Sequence, residues 1–220
     1  MRNFARSESP SSRPVVFVVD DDESVRRSLH RLLSTDGLDV ALFASPNDLL
    51  ARRPPDGPAC VLLDLRLPGA SGLDVQDALA RAGWDLPVIF LTGYADVGSS
   101  VRALKRGAVD FLEKPVSDQA LLDVVHQALG RARAAWRRRA ERAAIQARFD
   151  MLTARERDVL ALVLRGMLNK QIAAKLGISE KTVKFHRGRV MAKTQAGSVA
   201  ELVRQAAKID IDPARDAQAS

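Results

Sequence analysis

The sequence predicts an α/β fold, a doubly wound parallel sheet of five strands, followed by a long linker helix and a small all-α unit. Three observations carry that expectation. Five short apolar runs alternate with amphipathic stretches through about residue 130, the pattern of βα units with right-handed crossovers and helices on both sheet faces. A helical period then runs from Asp118 to about Phe149. Short helical patterns with recognisable caps come after it.

The first run, Val15–Val19, is rich in β-branched residues and stops at Asp20-Asp21-Asp22-Glu23. Acids favour a helix N-terminus, so Asp22 and Glu23 read as the start of a helix whose stripe is Val25, Leu29, Leu32 and Leu33, closed at Gly37. Carboxylates at the end of a strand also suit a hard cation such as Mg²⁺, and spacing alone leaves both readings open. Residues 38–43 form a second strand, Ser45 and Asp48 are spaced as a capping box, and Pro54-Pro55-Asp56-Gly57 is a turn. The run from Ala59 has the length of a fully buried strand and ends at Asp64, ahead of a tight loop over 67–72 and a helix over 73–82 closed by Gly83. A fourth strand over 86–91 ends in Thr92 and Gly93. A helix over 97–106 is closed by Gly107, and a fifth strand over 109–113 ends in Lys114 and Pro115.

In open parallel sheets ligands bind beyond the carboxyl ends of the strands. Asp20, Asp21, Asp64, Thr92 and Lys114 are therefore expected around one crevice. No Ser-His-Asp set, metal-spaced His/Cys group, GxGxxG or P-loop is present. The strand ends supply a nucleophilic carboxylate, metal-binding carboxylates, a hydroxyl and a fixed cation, a set suited to receiving a phosphoryl group.

At 220 residues and 46% apolar content, the chain is long enough for two modest domains. Its longest apolar runs fall far short of the roughly 20 residues that span a bilayer. The first fourteen residues hold no apolar signal core, so a cytoplasmic protein with a loose N-terminal tail over 1–13 is expected. The single cysteine, Cys60, excludes an internal disulfide and reads as a small buried side chain. Charge is divided unevenly: residues 1–128 carry a net −4 and residues 129–220 a net +11. The basic half points to a polyanion, with affinity that falls as salt rises.

Along the long helix, Val125, Leu129, Ala132, Trp136, Ala140, Ala143 and Ala147 recur at spacings of three and four, with arginines on the other faces. A solvated linker over 131–148 is the bland reading, and a weak coiled coil or a DNA-backbone contact the sharper one. Beyond it, Thr153 and Glu156 are spaced as a capping box ahead of Val159, Leu160, Leu162 and Val163, with a stop at Gly166. A short helix from Asn169 is closed by Gly177. Ser179 then caps a basic helix from Glu180 to about Lys193. Short helix, turn and basic helix is the helix-turn-helix arrangement, whose second helix enters the major groove.

The order Asp-Asp, Asp, Thr, Lys-Pro over residues 14–130 resembles the receiver domain of two-component response regulators, a flavodoxin-like fold. The wording Leu-Thr-Ala-Arg-Glu, Asn-Lys-Gln-Ile-Ala and Leu-Gly-Ile-Ser-Glu-Lys-Thr-Val-Lys-Phe-His over 149–208 resembles the LuxR-type DNA-binding domain. Together they resemble the NarL/FixJ subfamily of response regulators. That resemblance implies Asp64 as phospho-acceptor, and Mg²⁺ held by Asp20, Asp21, Asp64 and the Arg66 backbone carbonyl. It implies Thr92 and Lys114 as phosphoryl-binding residues and Phe111 as an aromatic switch, with an ordinary core ring on the last strand as the lesser alternative for Phe111. Arg66 and Tyr94 would flank the path of hydrolytic water. Lys181, Thr182, Lys184, Phe185, Gly188 and Arg189 would face DNA, with His186 packing.

The partners implied are a sensor histidine kinase, double-stranded DNA and a second copy of the chain, with RNA polymerase as a further candidate. Pairing would use the face of helix 97–106 and strand 109–113, and the helix over 198–208. Residues 209–220 read as a disordered tail. Three positions depart from the family pattern: Leu168 in place of proline, Thr194 in place of an apolar residue, and Gly188 inside the basic helix. An aspartyl phosphatase is the enzyme rival, but Arg66 stands where its second acid belongs. A constitutive DNA binder is the other rival.

Overall fold

The computed structural model describes residues 13–93 and 110–211. Tyr94, the expected helix 97–106 with Gly107, the start of the fifth strand at Val109, the tail 1–12 and residues 212–220 lie outside the described residues. The chain divides into two units, Met1–Arg137 and Arg138–Ser220.

In chain order the first unit contains β1 (Val15–Val19), α1 (Glu23–Thr35), β2 (Asp39–Phe43), α2 (Pro46–Leu50), β3 (Ala59–Asp64), β4 (Arg66–Leu67), β5 (Ala70–Ser71), α3 (Gly72–Arg81), β6 (Val88–Thr92) and β7 (Asp110–Glu113). Helix α4 (Asp118–Asp150) begins in this unit and ends in the second. β1, β2, β3, β6 and β7 form one sheet in the order β2-β1-β3-β6-β7, and every described neighbour pair is parallel.

Side chains alternate across the pleat, so each strand feeds two cores. Val16, Val18, Cys60, Leu62, Ile89 and Leu91 meet Leu29 and Leu33 of α1 and Leu121, Val125 and Leu129 of α4. Phe17, Val19, Val61, Leu63 and Phe90 meet Leu49 of α2 and Leu73, Val75 and Leu79 of α3. Burial on both faces is why these strands read as unbroken apolar runs. Cys60 lies wholly buried in the middle strand of the sheet, and that burial pushes its thiol up to about 12.

Local chemistry sets the element ends. Asp22 caps α1 by accepting from the Ser24 amide at 2.7 Å, and Ser45 caps α2. The expected tight loop over 67–72 carries a two-residue antiparallel ladder, Arg66 opposite Ser71 and Leu67 opposite Ala70, before Ser71 caps α3.

The second unit is helical: the end of α4, then α5 (Ala154–Leu164), α6 (Asn169–Leu176), α7 (Glu180–Thr194) and α8 (Val199–Lys208). Its core joins Ile145 and Phe149 of α4 to Val159, Val163, Ile172, Val183, Val190, Leu202 and Ala206. The alanine stripe expected on α4 does not carry this packing. Ala140, Ala143 and Ala147 are exposed, because Ile145 and Phe149, one turn apart, offer far more apolar surface and decide which face turns inward. Among the described residues no helix is long and apolar enough to cross a membrane.

Candidate functional site

The carboxyl ends of β1, β3 and β6 and the end of β7 converge, because parallel strands in register bring their last residues to one edge. Lys114, the residue after β7, places its Nζ 2.7 Å from Asp20 Oδ2 and 2.7 Å from Asp64 Oδ2. One carboxylate oxygen from each of Asp20, Asp21 and Asp64 lies within 4.8 Å of the other two. Asp20 is almost wholly buried, Asp64 half-buried and Asp21 exposed, so the cluster opens to solvent on one side.

The remaining oxygens are held by main chain. The Asp22 amide donates to Asp20 Oδ1 at 2.9 Å, and the Arg66 amide donates to Asp64 Oδ1 at 2.9 Å. Burial pushes the Asp20 carboxyl above the ordinary aspartate value, against the opposing effect of the Lys114 and Asp22 donors. For Lys114 burial acts to lower the ammonium, but hydrogen bonds and charge from Asp20 and Asp64 outweigh it and hold it above the ordinary lysine value. Lys114 therefore stays cationic between two acids.

Thr92, the last residue of β6, is fully buried, and its carbonyl accepts from the Lys114 amide at 2.7 Å. Phe111 on β7 is half-buried, with its ring centroid 6.3 Å from that of Phe90. Asp20, Asp21, Asp64, Thr92 and Lys114 thus share one edge, with Phe111 packed behind. Three carboxylates are a hard-oxygen donor set, which fits Mg²⁺ and not a soft metal.

Two supporting residues escape sequence reasoning. Arg26 on α1 donates from Nη1 to the Asp20 carbonyl at 2.6 Å, pinning the main chain of the buried acid. At Gly72 an added β-carbon would sit 2.8 Å from the Asp64 carbonyl oxygen, 3.0 Å from the Phe90 ring and 3.1 Å from Leu65 Cα. The only signals were an arginine one turn into α1 and a glycine in a loop, both commonplace in a sequence.

In the second unit α7 is anchored by Val183, Val190 and Thr194, all buried, and shows its other faces to solvent. Lys181, Lys184, Phe185, Gly188 and Arg189 are exposed and Thr182 half-buried. Thr194 packs without difficulty, because its hydroxyl donates to the Val190 carbonyl at 2.8 Å. His186 is half-buried, its ring 5.5 Å from that of Phe185, and its Nδ1 is buried without a hydrogen-bond partner. Leu168 serves as the N-cap residue of α6 and is 68% exposed. Lys193 bonds Glu156 Oε2 at 2.5 Å, and Arg187 Nη1 bonds Asn169 Oδ1 at 2.8 Å, tying α7 to both preceding helices. Glu156 also closes the capping box with Thr153, as its spacing predicts.

An acid-rimmed α/β sheet joined to a basic helix-turn-helix defines a receiver coupled to a DNA-binding output. Comparison with known proteins agrees. Residues 16–126 match the response regulator receiver domain, and residues 150–206 match the bacterial regulatory proteins of the luxR family. The chain is 48% identical over 203 residues to Nodulation protein W of Bradyrhizobium diazoefficiens, covering 91% of this chain and 88% of that one. It is 42% identical to the transcriptional regulatory protein FixJ of Azorhizobium caulinodans, covering 94% and 98%. Among solved structures the response regulator StyR superposes with a TM-score of 0.82 at 42% identity, covering 90% of this chain and 100% of that one. The chain belongs to the two-component response regulators of the NarL/FixJ subfamily and is a regulator of transcription.

Proposed function

We propose that Asp64 accepts a phosphoryl group from the phosphohistidine of a sensor kinase, and that this drives pairing of the chain and binding to operator DNA. The observation that carries the reading is the double contact of Lys114 with Asp20 and Asp64, 2.7 Å each. In the transfer the Asp64 carboxylate forms the new P–O bond as the P–N bond breaks, and the kinase imidazole leaves. Mg²⁺, taken up by Asp20, Asp21, Asp64 and the Arg66 carbonyl, supplies positive charge to the phosphoryl oxygens when bound. Lys114 is the fixed cation beside the acceptor. Thr92 donates its hydroxyl to a phosphoryl oxygen, and Phe111 turns inward with it as the aromatic switch. The receiver thereby assists its own phosphorylation and hydrolysis without being a turnover enzyme.

Residues 14–130 act as the receiver, 131–148 as linker and 149–208 as the output domain, and the tail expected from 209 has to begin later, because Ile209 is buried in the core of the second unit and Ile211 packs against it. Supporting this division, the family matches span 16–126 and 150–206. Lys181, Thr182, Lys184, Phe185, Gly188 and Arg189 meet the DNA groove or its phosphates. Two copies pair through the receiver and through α8, where Val199 and Val203, one turn apart, are 38% and 43% exposed. RNA polymerase is a downstream partner, and the setting is the cytoplasm.

Acetyl phosphate with Mg²⁺ tests the acceptor. Phosphoryl label is lost in Asp64→Asn and reduced in Lys114→Ala; label retained in Asp64→Asn moves the acceptor elsewhere.

A further inference from the structure

A cavity of about 390 Å³ opens between the first two strands and the loop that follows α2. It lies at the opposite end of the sheet from the acid cluster, because it takes in Val15, the first residue of β1, whereas Asp20 stands just past the last. Its volume falls within the roughly 300–1,000 Å³ of small-molecule sites. The apolar lining is Val15 and Phe17 of β1, Ala41 of β2, and Pro54, Pro55 and Pro58 of the loop.

Arg13, Arg52 and Arg53 line the same cavity. All are exposed, and none is paired with a carboxylate among the described residues. Asp56, the acid in the lining, offsets only part of their charge. This concentration of cations belongs to the half of the chain, residues 1–128, that carries a net −4. Arg52 is held in place: its amide donates to the Leu49 carbonyl at 3.1 Å, and its guanidinium lies 5.8 Å from the ring centroid of buried Phe43. A guanidinium resting on a ring keeps the N–H groups in its own plane free, the fork that grips two oxygens of a carboxylate or phosphate. The stretch before Arg13 carries Arg2 and Arg6 against Glu8, so its charge does not answer these arginines.

We infer that this cavity binds a small organic anion, its flat apolar body seated on Val15, Phe17 and Ala41 and its carboxylate or phosphate gripped by Arg13, Arg52 and Arg53. A ligand that binds only the folded receiver stabilises it by mass action, so occupancy also raises the melting temperature of the first unit.

The probes are 2-naphthyl phosphate and 2-naphthoate, with 2-naphthol as the uncharged analogue, titrated by their fluorescence into the full chain without Mg²⁺. Both anions bind, one per chain, and the tighter of the two shows which headgroup the arginines prefer. 2-Naphthol binds about tenfold more weakly, the factor for one lost charge-assisted hydrogen bond. Arg52→Gln combined with Arg53→Gln, two exposed positions outside the core, weakens anion binding by about tenfold or more. Ala41→Leu fills the apolar side without touching a charge and weakens both anions together; circular dichroism checks that the variants stay folded. Lys184→Ala, on the other unit, leaves anion binding as it was. Failure of both anions to bind, equal affinity for 2-naphthol, or binding undiminished in the double arginine variant overturns the inference. So does a loss confined to Lys184→Ala, which would place the anion on the basic second unit.

Discussion

A β-carbon on Gly72 would stand 2.8 Å from the carbonyl oxygen of Asp64, closer than packed atoms tolerate. The first residue of α3 therefore presses directly on the main chain that presents the Asp64 carboxylate. Gly72→Ala forces β3 or α3 to shift, and overpacking of this kind costs about 1–3 kcal/mol. Urea unfolding should show that loss, and labelling by acetyl phosphate should slow alongside it. Wild-type values for both would mean that the loop yields freely.

Lys114→Met should separate two roles of one side chain. Without the ammonium, Asp20 and Asp64 lose the donor they share at 2.7 Å, and Asp20 remains almost wholly buried. Stability falls by about 1–3 kcal/mol, the usual cost of stranding a buried polar group. Phosphoryl labelling drops while Asp64 stays in place. Labelling at the wild-type rate would remove Lys114 from the transfer step.

Glu156 gives the second unit a dependence on acid pH. The Lys193 ammonium, and after it the Thr153 amide, hold its carboxyl down to about 2, against an ordinary value of 4.5. A carboxyl depressed in the folded state stabilises above its unfolded value, and that contribution fades as pH falls through the folded one. Comparison of wild type with Glu156→Gln in urea melts should show a gap at pH 6 that narrows steadily between about pH 4.5 and pH 2. A gap constant with pH would mean that the cap, and not the charge pair, carries the effect. Thr153→Ala removes the other half of the capping box and should cost about 1 kcal/mol.

DNA affinity should fall steeply with salt, because residues 129–220 carry a net +11 and each phosphate contact releases counterions. Lys184→Ala should weaken binding and flatten that slope while leaving phosphorylation untouched. A shallow slope in the wild type would point to a partner other than nucleic acid.

The strand ends were legible because β-strands buried on both faces announce themselves as apolar runs, and the residues just past their carboxyl ends must lie on one edge of a parallel sheet. Asp64 and Lys114, 50 positions apart, were brought together on that basis alone. The caps at Ser45, Thr153 and Ser179 were equally plain, since they depend on neighbours a few residues away. Contacts without a period were not legible. Lys193 reaches Glu156 across 37 positions, Arg26 reaches a carbonyl, and Gly72 makes room for a main chain; none repeats along the sequence. The stripe on α4 is buried only within the first unit, at Val125, Leu129 and Ala132, and is exposed at Ala140, Ala143 and Ala147. Periodicity counts positions, whereas burial depends on surface area, and Ile145 and Phe149 outweigh three alanines.

Cys60 sits in the central strand with its thiol pushed to about 12, and it is the only cysteine in the chain. A maleimide or disulfide reagent at neutral pH finds neither thiolate nor access while the sheet is closed. Modification must wait for β3 to part from its neighbours, so the time course of a single mass increment clocks the opening of the first unit. The molecule carries its own stopwatch for that event, and no probe need be engineered into it.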